Sequence, residues 1–397
     1  MLRNERLRSL RPPMSETPFK EYSHLNRIVG VMPRTTDYGS EFGRVQALDL
    51  LRLVAVLGVV LFHYGFRGPT AFDVTHVALP ELEWVGRYGF LGVPVFFIIS
   101  GFVIAYSAAG RTATAFAIAR FSRIYPCFFF CMTLTFSALL FIGPPHFATT
   151  FAQWAGNLPI AATAFHQSYI DSAYWSLVVE VTFYGWVTLL LAGKLFQRHI
   201  YAIVLVWLCL SMANELTADN QIVSRIFLTD HSGFFATGLL IYELYRGRRD
   251  AVLQGLLVLS VATALFQALH NLRWLRDENN VFNDWVIATI CLGAILVILA
   301  ATRIRSLPIR PSTVFAIGGV TYPFYLLHQQ LGYAILERIG PAGHSRVLVV
   351  AILLGIAGLS WVTWRFIERP GQRLAKQVLS SLAGLTPAEP RPINDLP

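Results

Sequence analysis

Four ionisable residues stand in runs that are otherwise apolar. Ala47-Leu-Asp49-Leu-Leu-Arg52 opens a stretch that continues without charge to Phe62-His63-Tyr64, and a second stretch, Tyr174-Trp175-Ser176-Leu-Val-Val-Glu180, carries a carboxylate. An ionisable group at hydrocarbon depth costs at least ~2.5 to 3.5 kcal/mol, so each marks a functional position. On a helix, Asp49 and Arg52 are i and i+3 and can pair on one face. Arg52 and His63 are about three turns apart and share that face, roughly 16 Å apart along the axis. His63 lies near the end of its stretch, and Glu180 sits at a comparable depth in another. An imidazole and a carboxylate at matched depth are what a general base and its orienting or charge-balancing partner require. The bland alternative is a hydrogen-bonded histidine at a helix end.

Other residues add to this set. Arg120-Phe-Ser-Arg123-Ile-Tyr125-Pro126 places two arginines at i and i+3, a fork suited to phosphate oxygens. The same pair also fits the ordinary basic flank of a membrane helix. Ser100-Gly101 permits a close helix approach and a local polar contact. Tyr322-Pro323-Phe324-Tyr325-Leu-Leu-His328-Gln329 predicts a kink at Pro323, with His328 and Gln329 beyond it. Glu368 reads as structural. The chain has no G-x-S-x-G elbow and no Walker A loop.

The elements that must position these residues are membrane helices. Of 397 residues 55% are hydrophobic and only 14% charged, with a mean hydropathy of +0.53. Soluble domains carry about 25% charged residues. Ten stretches approach the ~20 apolar residues a spanning helix needs: 47–66, 88–107, 124–143, 174–194, 199–214, 231–245, 251–268, 284–302, 314–336 and 346–366. With the N-terminus placed in the cytoplasm, 24 of the 32 Lys and Arg fall in cytoplasmic segments and 7 in outer loops. Arg52 lies within the first span. This alternating bias predicts an all-α, ten-helix polytopic bundle with both termini cytoplasmic. The net charge of +9 is dispersed among these flanks and excludes a nucleic-acid-binding domain. Cys127, Cys131, Cys209 and Cys291 lie in apolar stretches and form neither a disulfide framework nor a metal site with histidines. Residues 1–43 lack the apolar core of a signal peptide and read as a mobile cytoplasmic extension. Residues 44–372 form the membrane domain, and 373–397 a cytoplasmic tail.

Five of these segments, in this order, resemble the acyltransferase-3 family, membrane O-acyltransferases of surface polysaccharides, glycoconjugates and antibiotics. They are Arg44-Val-Gln-Ala-Leu-Asp49-Leu-Leu-Arg52 with Leu61-Phe-His63-Tyr64; Gly92-Val-Pro-Val-Phe-Phe-Ile-Ile-Ser100-Gly101-Phe102; Arg120-Phe-Ser-Arg123-Ile-Tyr-Pro126; Trp175-Ser176-Leu-Val-Val-Glu180-Val-Thr-Phe-Tyr184; and Thr321-Tyr-Pro-Phe-Tyr-Leu-Leu-His328. The likeness runs from about residue 44 to 372 and departs at Leu53, where the family commonly has glycine.

The resemblance implies an acyl-coenzyme A donor bound from the cytoplasm, most simply acetyl-coenzyme A, and a sugar or glycoconjugate hydroxyl on the periplasmic side of a bacterial inner membrane. Surface lipopolysaccharide or exopolysaccharide, an antibiotic and a nodulation-type oligosaccharide all fit as acceptors. Arg120 and Arg123 would hold the coenzyme A phosphates, and Arg52 and Ser100 would line the path of the pantetheine arm. His63 would be the general base, with Glu180 orienting it or balancing its charge; an acyl-His intermediate is the covalent variant. Asp49, Trp175, Ser176, Tyr322 and His328 complete the implied binding set. No permanently bound cofactor or metal is expected. Two rivals are a proton-coupled exporter using Arg52, His63 and Glu180 as a relay, and a non-catalytic partner of a polysaccharide machine.

Overall fold

Within hydrocarbon every backbone N–H and C=O must find a partner in its own segment, so the apolar runs become helices. The computed structural model describes residues 45–68, 80–270, 282–304, 307–339 and 346–385. In chain order they form α1 (Gln46–Phe62), α2 (Pro80–Gly86), α3 (Gly92–Ala108), α4 (Ala113–Ile142), α5 (Phe151–Asn157), α6 (Trp175–Ala192), α7 (Ile200–Ala213), α8 (Gln221–Phe227), α9 (Ser232–Tyr245), α10 (Ala251–His270), α11 (Asp284–Ala301), α12 (Pro311–Leu327), α13 (Gln330–Ile339), α14 (Arg346–Thr363) and α15 (Arg369–Leu382). No strand occurs among the described residues. The chain is an all-α polytopic membrane protein. Eight continuous helical runs among the described residues are long and apolar enough to cross a membrane.

The other two apolar stretches form shorter helices. The 231–245 stretch becomes the 14-residue α9, buried on nearly every face. The 314–336 stretch breaks into α12 and α13 at His328 and Gln329. The third stretch, expected from 124, begins earlier as the 30-residue α4, capped by Thr112, whose Oγ1 accepts from the Ala115 amide at 3.2 Å. At 1.5 Å per residue α4 is about 45 Å long, more than the roughly 30 Å of a hydrocarbon core. Arg120 and Arg123 therefore ride on continuous helix. The final apolar run passes through a π turn (Trp364–Glu368) into α15, so the segment expected to be a tail from 373 begins as helix. The extension expected over 1–43 lies outside the described residues.

Two apolar cores lie on either side of α1. Val59 and Phe62 pack with α3, α9, α10 and α11. Val56, Val60 and Tyr64 pack with α4, α12 and α13. The close approach expected at Ser100-Gly101 is realised where α3 crosses α9. A Cβ on Gly238 would strike the Ile98 carbonyl, and one on Gly101 the Phe235 carbonyl. Cys127 and Cys131 are buried on one face of α4 with their sulfurs 3.9 Å apart, both as free thiols.

The α12–α13 break is held by polar groups from other elements. The Tyr64 hydroxyl donates to the His328 carbonyl at 2.5 Å, and that of Tyr174 to the Leu326 carbonyl at 3.3 Å. Asp171 Oδ2 accepts from the Gln330 amide at 2.9 Å and caps α13, while its Oδ1 accepts from the Ala173 amide at 2.9 Å. Gln329 Nε2 donates to the Ser172 hydroxyl at 2.5 Å. Carbonyls that the helix end leaves without partners are thus satisfied by side chains.

Candidate active site

Two cavities lie along the length of α1, one beside Arg52 and one beside His63. The arginine cavity, about 130 Å³, is lined by Arg52, Ser100, Arg120, Arg123, Glu180 and Tyr322, among others. The histidine cavity, about 790 Å³, is lined by His63, Trp175, Asp230, His231, Gln267 and Gln329, among others. Val93, Phe97 and Tyr325 line both and form the wall they share.

In the arginine cavity, helix periodicity places the charges and tertiary contacts decide their partners. Arg52 Nη1 meets Asp49 Oδ1 at 3.1 Å, the expected i,i+3 pair, with Asp49 only 2% exposed. Arg123 forms an ion pair with Glu368 on the π turn before α15, and Gln372 Nε2 donates to the same carboxylate at 3.1 Å. The Arg123 guanidinium also lies 5.5 Å from the Tyr322 ring centroid, and the Tyr322 hydroxyl donates to the Ile124 carbonyl at 3.3 Å. Arg120 instead faces the rings of Phe116 and Tyr184, each at 5.9 Å. Its Nε is buried with no hydrogen-bond partner among the described residues. The arginine fork is therefore uneven: Glu368 already meets the charge of Arg123, which leaves Arg120 as the cation of the pair better able to meet an anion. Glu368, read from sequence as structural, is the ion-pair partner of Arg123.

Glu180 Oε1 accepts from the Ser100 hydroxyl at 2.6 Å and from the Tyr184 hydroxyl at 2.5 Å. It lines the arginine cavity, and His63 lines the histidine cavity. Among the described residues no hydrogen bond joins the two. α6 turns the Glu180 carboxylate toward Ser100 on α3 and into the cavity lined by the arginines, and hydrophobic spacing along a single helix does not fix that rotation.

The neighbour of His63 is His328, with ring centroids 5.1 Å apart. α1 loosens into a π turn (His63–Arg67) at this point, a distortion frequent at functional sites. The Tyr333 hydroxyl donates to the His63 carbonyl at 2.7 Å. His328, fully buried, donates from Nδ1 to the Tyr325 carbonyl at 2.7 Å. A carbonyl only accepts, so this bond places the proton on Nδ1 and leaves Nε2 with a lone pair.

Trp175 and Ser176, adjacent in sequence, are divided between the cavities. Trp175 is 39% exposed and packs against His231 at 5.6 Å and Phe97 at 6.3 Å. Ser176 lines the arginine cavity, its hydroxyl 2.7 Å from that of Tyr325. Tyr325, Tyr184, Asp230 and His231 were not singled out by sequence reasoning. Tyr184 and Tyr325 sat inside motifs already identified, one turn from Glu180 and three residues before His328. Thr229-Asp230-His231 interrupts apolar sequence just before α9, a signal that could have been used. Asp171, in the loop before α6, is a scaffold residue. Burial pushes its carboxyl up to about 7, against the Gln330 and Ala173 amides, which favour the charged form. Among the described residues no cluster of His, Cys, Asp and Glu could hold a metal ion.

Residues 45–365 match the acyltransferase-3 family model, described as an acyltransferase domain. Nodulation protein 10 of Rhizobium leguminosarum bv. viciae is 26% identical over 370 residues, covering 85% of this chain and 96% of that relative. No solved structure matches the chain.

Proposed function

We propose, from the premise that this chain belongs to the acyltransferase-3 family of membrane acyltransferases, that it carries an acyl group, acetyl in the simplest case, from cytoplasmic acyl-coenzyme A to a sugar or glycoconjugate hydroxyl on the periplasmic side of a bacterial inner membrane. The observation that carries this reading is the pair of cavities, one rich in arginine and one holding His63, with Val93, Phe97 and Tyr325 lining both. A donor with anionic phosphates and a long neutral arm needs such a division. Its phosphates meet guanidinium groups at one end while its thioester reaches the base at the other.

In this reading Arg120 is the main phosphate-binding cation, and Arg123 is held in place by Glu368. Arg52, kept oriented by Asp49, and Ser100 line the path of the arm. Glu180, bonded to Ser100 and Tyr184, balances the positive charge of the donor cavity. The acceptor oxygen attacks the thioester carbonyl, its proton passes to His63, the C–O bond forms and the C–S bond breaks. The coenzyme A thiolate then takes the proton from His63. Trp175, with Asp230 and His231 beside it, offers an aromatic face and polar edges that suit a sugar ring. The relative's designation as a nodulation protein is compatible with an oligosaccharide acceptor.

Purified protein in nanodiscs with radiolabelled acetyl-coenzyme A tests this without an identified acceptor, by donor binding and by slow release of coenzyme A thiol. His63→Ala is expected to bind the donor as wild type does and to lose thiol release. Arg120→Ala is expected to weaken donor binding. Wild type that neither binds nor consumes acetyl- or longer acyl-coenzyme A would overturn the assignment.

A further inference from the structure

His63 and His328 come from helices far apart in sequence, yet their rings face each other at a centroid distance of 5.1 Å, tilted by 56°. His63 Nδ1 and His328 Nε2 are both buried, and neither makes a hydrogen bond among the described residues, to the other ring or to any other group. A nitrogen–nitrogen hydrogen bond of about 2.9 Å between two imidazoles puts their centroids roughly 5 Å apart, so the rings have the separation for such a bond and a change of ring orientation would close it. Buried polar atoms in native proteins are rarely left without partners, and here two complementary ones lie on neighbouring rings. The tautomer is constrained as well, because the Tyr325 carbonyl takes the Nδ1 proton of His328. Nε2 of His328 can then only accept, and the hydrogen it can accept is the Nδ1 hydrogen of His63. That arrangement leaves Nε2 of His63 bare, and His63 lines the larger cavity.

The geometry points to His328 as the positioning residue of the base, in a relay that runs from His63 Nε2 through His63 Nδ1–H and His328 Nε2 to His328 Nδ1–H and the Tyr325 carbonyl. This rests on the acyl-transfer reading above. During attack the acceptor proton moves to His63 Nε2, and the resulting imidazolium keeps its Nδ1–H bonded to His328, so no second proton transfer is needed. The proton leaves His63 Nε2 with the coenzyme A thiol. The break between α12 and α13 has a purpose in this scheme, since it turns His328 off the end of α12 toward α1. Tyr64 fastens the same residue from α1 through its carbonyl at 2.5 Å. The other titratable groups about the pair are Arg67 on the π turn of α1, Tyr64, Tyr333 on α13, and Asp219, Asp230, His231 and His270 lining the cavity.

Two near-isosteric variants separate this role from packing. His328→Gln keeps an acceptor oxygen within reach of His63. His328→Asn keeps a donor for the Tyr325 carbonyl but withdraws the acceptor. Thiol release from acetyl-coenzyme A is expected to fall at least 100-fold in His328→Asn with the donor KM unchanged, and to recover at least tenfold in His328→Gln. Independently of turnover, the rate of His63 carbethoxylation by diethylpyrocarbonate, followed by mass spectrometry across pH, reads how readily His63 protonates. Its midpoint is expected to fall by about one pH unit in His328→Asn and to return toward wild type in His328→Gln. Equal midpoints in all three proteins, or equal losses in both variants, would overturn the relay. Wild type with no turnover but with the midpoints ordered as stated would overturn the acyl-transfer reading and leave the relay standing.

Discussion

At the scale of single residues, the account turns on which partner each charge finds. His63→Ala should lower acyl transfer by a factor of about 10² to 10⁴, the range for a positioned base, with donor affinity retained in equilibrium binding. Arg120 and Arg123 look equivalent in sequence but should behave differently. Arg120→Ala is expected to weaken donor binding with little change in thermal stability. Arg123→Ala strands the Glu368 carboxylate, 2% exposed, and should cost about 3 to 5 kcal/mol of stability, seen as a lower unfolding temperature in detergent and relieved by Arg123→Ala/Glu368→Gln. The Asp49–Arg52 pair was legible because a helix makes i and i+3 neighbours. The Arg123–Glu368 pair spans 245 residues, and no local periodicity announces it. For His63 and Glu180, the cavity each side chain enters depends on the rotation of its helix about its axis, which tertiary packing sets and no single apolar run records.

At the scale of elements, the site depends on one close helix crossing and one interrupted helix. Gly238→Leu would drive a side chain into the Ile98 backbone. It should cost more than about 3 kcal/mol, the upper end for overpacking, because a backbone carbonyl cannot step aside. Gly185→Ala on α6, where nothing lies within 4 Å, should leave the unfolding temperature unchanged or higher. The interrupted helix supplies a pH signature. The Asp171 carboxyl, raised to about 7 by burial, titrates near 3.9 when unfolded. Its contribution to stability is therefore present in full below about pH 4 and is lost as pH rises through about 7. Unfolding temperatures of wild type should fall across that window, and those of Asp171→Asn should change less. A kink at Pro323 was expected; the break five residues later was not. The break falls at the polar triplet His328-Gln329-Gln330 inside the 314–336 run, and Asp171, Ser172 and Tyr64 reach in from elsewhere to hold it.

At the scale of the whole molecule, the all-α membrane architecture was the most legible feature, because spanning length is summed over many residues. The placement of two cavities end to end was not legible, since each is lined by several helices. That placement carries the central claim, that the acyl group enters from one face of the membrane and leaves at the other. The most direct measurement uses proteoliposomes, with labelled acetyl-coenzyme A outside and envelope glycans of the producing cell either trapped in the lumen or left outside. The account predicts label on lumenal glycans only, and none in vesicles bearing His63→Ala. Label appearing on glycans that share a compartment with the donor, and not on those across the membrane, would contradict it.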